Sequence, residues 1–100
     1  MASEEGQVAV GFSAEASESY LHLPSEHRTI VDRRLKELAR EPERAPIRGL
    51  SPKGRRVYIA QAIVDSERAY RIDFAIDELM QQRAKVPAIA VRRLKLMQRR

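Results

Sequence analysis

The sequence predicts an α+β domain: an N-terminal strand, a helix hairpin, then three antiparallel strands, all forming one twisted sheet. Three observations carry that prediction. Ile30, Val31, Leu35, Leu38 and Ala39 form an apolar stripe at helical spacing. Tyr70, Ile72, Phe74 and Ile76 alternate with Arg71, Asp73, Ala75 and Asp77, the period of a strand with one buried and one wetted face. Between them Pro42, Pro46, Gly49, Pro52 and Gly54 mark an irregular connector over residues 41–54.

Each element follows in order. Val8, Val10 and Phe12 alternate and predict a short strand over residues 7–12. Ser13 then reads as a helix N-cap, and Glu15 favours the positive end of the helix dipole. A helix over residues 14–22 places Ala16, Tyr20 and Leu23 on one face. Pro24 breaks it and Ser25 is positioned to cap a second helix, about 26–40, after a connection short enough for an antiparallel hairpin. Residues 57–64 read as a strand, Asp65-Ser66-Glu67 as a turn and 69–77 as the next strand. Residues 77–86 stay open between loop and a helical turn capped by Asp77. Residues 87–97 predict the last strand, with Arg92 and Lys95 on opposite faces.

The chain has 100 residues, which suits one domain over 1–100, with residues 1–6 read as flexible and 98–100 as a basic tail. It has no cysteine, so a disulfide scaffold, a thiolate metal site and a cysteine nucleophile are excluded. No apolar run is long enough to span a bilayer, and the acidic start does not resemble a signal peptide, so the expected location is the cytoplasm. The net charge is +5 and unevenly spread: the first twenty residues hold four glutamates and no base. Arg44, Arg48, Lys53, Arg55 and Arg56 form one acid-free cluster; Arg92, Arg93, Lys95, Arg99 and Arg100 form another. Such clusters suit a polyanion or an acidic protein, or simply a solvated surface. His22 and His27 flank the helix turn and, with Asp32, are too few for a zinc site. Asp73 and Asp77 read most simply as decoration of a wet strand face. There is no glycine-rich phosphate loop, and no cofactor or metal site is expected.

Several strings combine in a recognisable order. They are Phe12-Ser13-Ala14-Glu15-Ala16 at the strand-to-helix entry, Leu23-Pro24 with Arg28, Ile30, Leu35 and Leu38 in the hairpin, Ile47-Arg48-Gly49-Leu50-Ser51, and Tyr70-Arg71-Ile72. Over residues 7 to about 95 this order resembles the RelE/ParE superfamily of toxins from bacterial type II toxin–antitoxin systems. The resemblance implies a small basic toxin neutralised by a cognate antitoxin protein, an acidic or amphipathic segment laid across the helices and a sheet edge. In the RelE branch it also implies metal-independent cleavage of mRNA on the ribosome.

That chemistry needs a base for the 2′-hydroxyl, cations for the phosphorane-like transition state and an acid for the leaving oxygen. The resemblance places Arg71 at the family's sheet arginine, and Arg92 or Arg93 at its last-strand arginine, as the catalytic candidates. Lys53, Arg55, Arg56 and Lys95 are candidate RNA-binding cations. Tyr58 either stacks a base or packs in the core. The chain departs from the nuclease pattern where strand lysines are often found, having Ile59 and Gln61, and no tyrosine follows the last strand. Those departures leave two alternatives: a ParE-like toxin that binds DNA gyrase, or a non-catalytic member that only binds an antitoxin or RNA.

Overall fold

A computed structural model describes residues 7–99. In chain order they form β1 (Ala9–Phe12), α1 (Ala14–Leu21), α2 (Ser25–Arg40), β2 (Ile47–Leu50), β3 (Arg56–Ile63), β4 (Arg68–Ile76), α3 (Glu78–Ala84) and β5 (Ala88–Gln98). The expectations placed on residues 1–6 and on Arg100 lie outside the described residues. The class is α+β, and the sheet is five-stranded and mixed, in the order β1-β5-β4-β3-β2. β1 runs parallel to β5, and every other neighbouring pair is antiparallel. No helix among the described residues is long and apolar enough to cross a membrane.

One face of the sheet is buried by the helices. Tyr58, Ala60 and Ala62 of β3, Tyr70, Ile72 and Phe74 of β4, and Ile89, Val91 and Leu94 of β5 join the helical residues Ala16, Val31, Leu35, Leu38 and Ala39 in one core. The predicted helical stripe and the predicted β4 alternation therefore meet. Complete burial of a side chain such as Phe74 or Ile72 stabilises the fold by roughly 1.5–3 kcal/mol. α1 lies mainly on β5, whereas α2 lies on β1, β3 and β5. The sheet holds both helices in place, with Tyr20 donating to Asp32 Oδ1 at 2.6 Å as a tie between them.

The helix starts divide by chemistry. Ser13 caps α1 as predicted: its Oγ accepts from the Ala16 amide at 3.1 Å. Ser25 is instead the first residue of α2, and Pro24 takes the cap position without a side-chain bond. Asp77 resolves the open region 77–86 as helix, its Oδ1 accepting from the Met80 amide at 3.0 Å. α3 ends at Lys85, whose φ of 60° is the left-handed conformation common at helix C-termini.

Four further sequence expectations need correction. The connector is not irregular throughout: a 3-10 turn at Pro42–Arg44 leads into β2, an edge strand too short and too exposed to show an apolar period. The non-core face of β4 is not simply wetted, because Asp73 and Ala75 are buried there between β3 and β5. Arg92 and Lys95 do not lie on opposite faces, because the β4–β5 register shifts between Asp73 and Phe74, making a bulge in β5. Val91 and Leu94 both enter the core, so the two arginines between them are both turned out of it. The C-terminal residues 98 and 99 are not a tail: β5 continues through Gln98, and Arg99 donates to the Glu67 carbonyl at 2.6 Å and the Asp65 carbonyl at 3.0 Å.

Candidate functional site

The second face of the sheet carries no helix of its own and gathers charge. Its row across the strands is set by register. Arg71 lies opposite Gln61 on β3 and Lys95 on β5; Asp73 lies opposite Ile59 and Arg93. Directly opposed residues share a face, so Arg71, Asp73, Arg93 and Lys95 point the same way. The alanines Ala69, Ala75 and Ala88 are buried on this side, which keeps it low around the long basic side chains.

Asp73 is the centre of the cluster. Its side chain is only 4% exposed, and Oδ1 accepts from Arg71 Nε at 3.1 Å. Arg48 reaches the other oxygen from β2, with Nε 3.8 Å from Oδ2. A buried carboxylate loses several kcal/mol of hydration unless cations and donors replace it, and two arginines do so here. Arg93 pairs with Glu15 of α1 at 3.4 Å, with both side chains more than half exposed. A pair that exposed contributes on the order of 0–1 kcal/mol. Arg92 sits at the bulge, and its carbonyl accepts from the Ser13 hydroxyl at 2.8 Å.

The other predicted site residues are not brought to this cluster. Tyr58 is 3% exposed and stacks on Phe74 with ring centroids 5.5 Å apart, so it is a core residue and no platform for a base. Lys53 and Arg55 stand in the β2–β3 turn, closed by the Gly54 amide on the Ser51 carbonyl at 2.8 Å. Gly54 adopts φ 81°, a value that favours glycine. Arg56 has the strand parity of Tyr58, not of Ile59, and it lies roughly 17 Å along β3 from the residue opposite Arg71. These three cations form a separate basic tip.

The aromatic and imidazole groups all lie on the helix-covered side. His27 Nδ1 is 2.9 Å from the Tyr70 hydroxyl. Burial holds the Tyr70 phenol above its ordinary pKa. Burial first, then the hydrogen bond and charge of Asp32, does the same to Tyr20. His22 Nδ1 donates only locally, to the Glu18 carbonyl at 2.7 Å. Among the described residues no three His, Asp or Glu side chains gather as a metal site requires.

Beside the cluster runs a groove of about 1010 Å³, lined by Arg34, Leu38, Ile59, Gln61, Arg71 and Met97 among others. It follows the part of β3 that β2 does not cover, where Arg34 Nε donates to the Gln61 carbonyl at 2.8 Å. The residue of this cluster that sequence reasoning did not single out is Arg48. Its sequence signals were membership of the acid-free cluster, shared with residues that the fold puts elsewhere, and of the Ile47–Ser51 string, and neither pointed to Asp73.

Compared with family models, curated proteins and solved structures, the chain matches none.

Proposed function

We propose that the chain is the toxin of a type II toxin–antitoxin pair, acting in the cytoplasm by cleaving mRNA on the ribosome. The observation that supports this reading most is the cationic row on the helix-free face: Arg71 directly opposite Lys95, and Asp73 directly opposite Arg93. Pre-positioned guanidinium and ammonium groups stabilise charge that builds on a phosphodiester in the transition state. Arg71 is the residue assigned to the phosphate, with Arg93 and Lys95 beside it and Arg92 at the rim. Lys53, Arg55 and Arg56, on the separate tip, suit phosphates farther along the same strand. A cognate antitoxin would neutralise the toxin by laying an acidic segment over these cations.

One observation favours a second reading. Both histidines and all three tyrosines lie on the helix-covered side, so neither an imidazole nor a phenol stands beside Arg71. A face with cations and no such proton-transfer group suits binding without cleavage, whether of gyrase, of RNA or of the antitoxin alone.

Induced expression in bacteria, with mRNA ends mapped by primer extension, tests the choice. The expected result is growth arrest with codon-phased ends in translated mRNA only, and loss of both with Arg71→Gln. Arrest without new ends supports a gyrase-type target. Neither arrest nor ends supports a binding module.

A further inference from the structure

The pairing geometry at Asp73 goes beyond a row of cations. Arg71 meets the carboxylate through Nε, and Nε is also the atom of Arg48 that approaches it. A structural ion pair built for strength presents two parallel N–H donors to the carboxylate. Here the Nη groups of neither arginine make a hydrogen bond among the described residues. The Arg71 side chain is 31% exposed and that of Arg48 is 50% exposed, while the carboxylate they share is 4% exposed.

The backbone is arranged to allow this. Arg48 and Asp73 stand on strands separated by β3, a span of roughly 10 Å that the two side chains bridge from both ends, leaving Nε 3.8 Å from Oδ2. Ile47 pairs with Tyr58 and Gly49 pairs with Val57, so Arg48 is the extra residue at a bulge in β2. A bulge re-aims its side chain relative to a regular strand. The consequence is two guanidinium groups converging on one anchored anion, each with its outer donors unspent.

We propose that Arg48 and Arg71 form a two-guanidinium clamp for a single RNA phosphate, with Asp73 as the positioning residue, hydrogen-bonded to Arg71 Nε and ion-paired with Arg48. The proposal rests on the reading that this face meets RNA. It adds Arg48 as a binding residue and gives the buried carboxylate a role. Each guanidinium supplies two Nη amino groups to the non-bridging oxygens, the planar recognition that lysine does not provide.

The test is binding of a fluorescent 2′-O-methyl RNA oligonucleotide, which lacks the hydroxyl needed for cleavage, to the full chain over a salt series. Arg48→Gln and Arg71→Gln are each expected to weaken binding about tenfold and to lower the slope of log K against log salt by about 0.7. The double variant is expected to lose less than the product of the two, because one phosphate is shared. Asp73→Asn gives the sharpest readout. It makes the face more positive, so charge alone predicts tighter binding, whereas loss of positioning predicts weaker binding with the salt slope retained. Arg83→Gln, on exposed α3, is the control for net charge.

Asp73→Asn binding as tightly as the original chain, or more tightly, overturns the positioning role. Should that variant fail to fold, the exposed Arg48→Gln decides the matter: affinity equal to the Arg83→Gln control overturns the clamp while leaving RNA binding intact. An original chain that does not bind the oligonucleotide overturns both the clamp and the reading beneath it.

Discussion

Replacing Ser13 by alanine removes two hydrogen bonds made by one hydroxyl. Oγ accepts from the Ala16 amide at 3.1 Å and donates to the Arg92 carbonyl at 2.8 Å. The first bond caps α1, and losing such a cap costs about 1 kcal/mol. The second pins the bulge in β5; a neutral bond at an exposed position contributes about 0.5–1 kcal/mol. Together they predict a loss of about 1.5–2 kcal/mol. For a domain of this size that lowers the melting temperature by roughly 6–16 °C. Thermal unfolding followed by circular dichroism measures it. Ser13→Thr keeps the hydroxyl and is expected to stay near the original chain. Ser13→Gly preserves most of the backbone preference for a cap yet loses the Arg92 bond, and is expected to fall between threonine and alanine. A melting temperature for Ser13→Ala within 2 °C of the original, equivalent to about 0.25–0.5 kcal/mol, would refute the claim that one side chain holds both the helix start and the bulge.

Two further predictions concern the core and its titration. Phe74→Ala opens a cavity at a fully buried position beneath Tyr58 and is expected to destabilise the fold by about 3–5 kcal/mol. Urea unfolding checks this, and a loss below about 1 kcal/mol would show that Phe74 is not the centre of the packing. Tyr20 has a folded-state pKa raised above 10.0 by burial and Asp32, so its neutral form stabilises the fold at neutral pH and that contribution is lost as pH rises through the folded value. Melting from pH 8 to 11.5 should therefore fall less steeply for Tyr20→Phe than for the original chain, apart from a uniform offset for the lost bond to Asp32; Tyr70, also raised by burial, keeps part of the slope in both. Parallel curves would remove Tyr20 from the alkaline transition.

Legibility in the sequence followed the range of the interaction. Ser13 and Asp77 were readable as caps because a cap joins residues three positions apart. Ser25 misled because Pro24 already supplies the extended backbone of the cap position. Tyr58 was left between two roles, since an aromatic residue on a strand has the same pattern whether it meets a base or Phe74. β2 was missed: four exposed residues around a glycine have no apolar period to detect.

What the sequence determined by itself was local and periodic. Helices at 14–22 and 26–40, strands ending in the Tyr70–Ile76 alternation, and a core built from those two stripes follow from spacing alone, because burial selects one face of each element. Tertiary structure alone decided the site. A bulge arises when two strands, chosen from distant parts of the chain, pair with unequal numbers of residues. Such pairings turn Arg48 toward Asp73, put Arg92 and Arg93 on one side, and bury a carboxylate that alternation had placed in water. Local sequence carries no record of a partner strand's register, and at this site the register sets which charges meet.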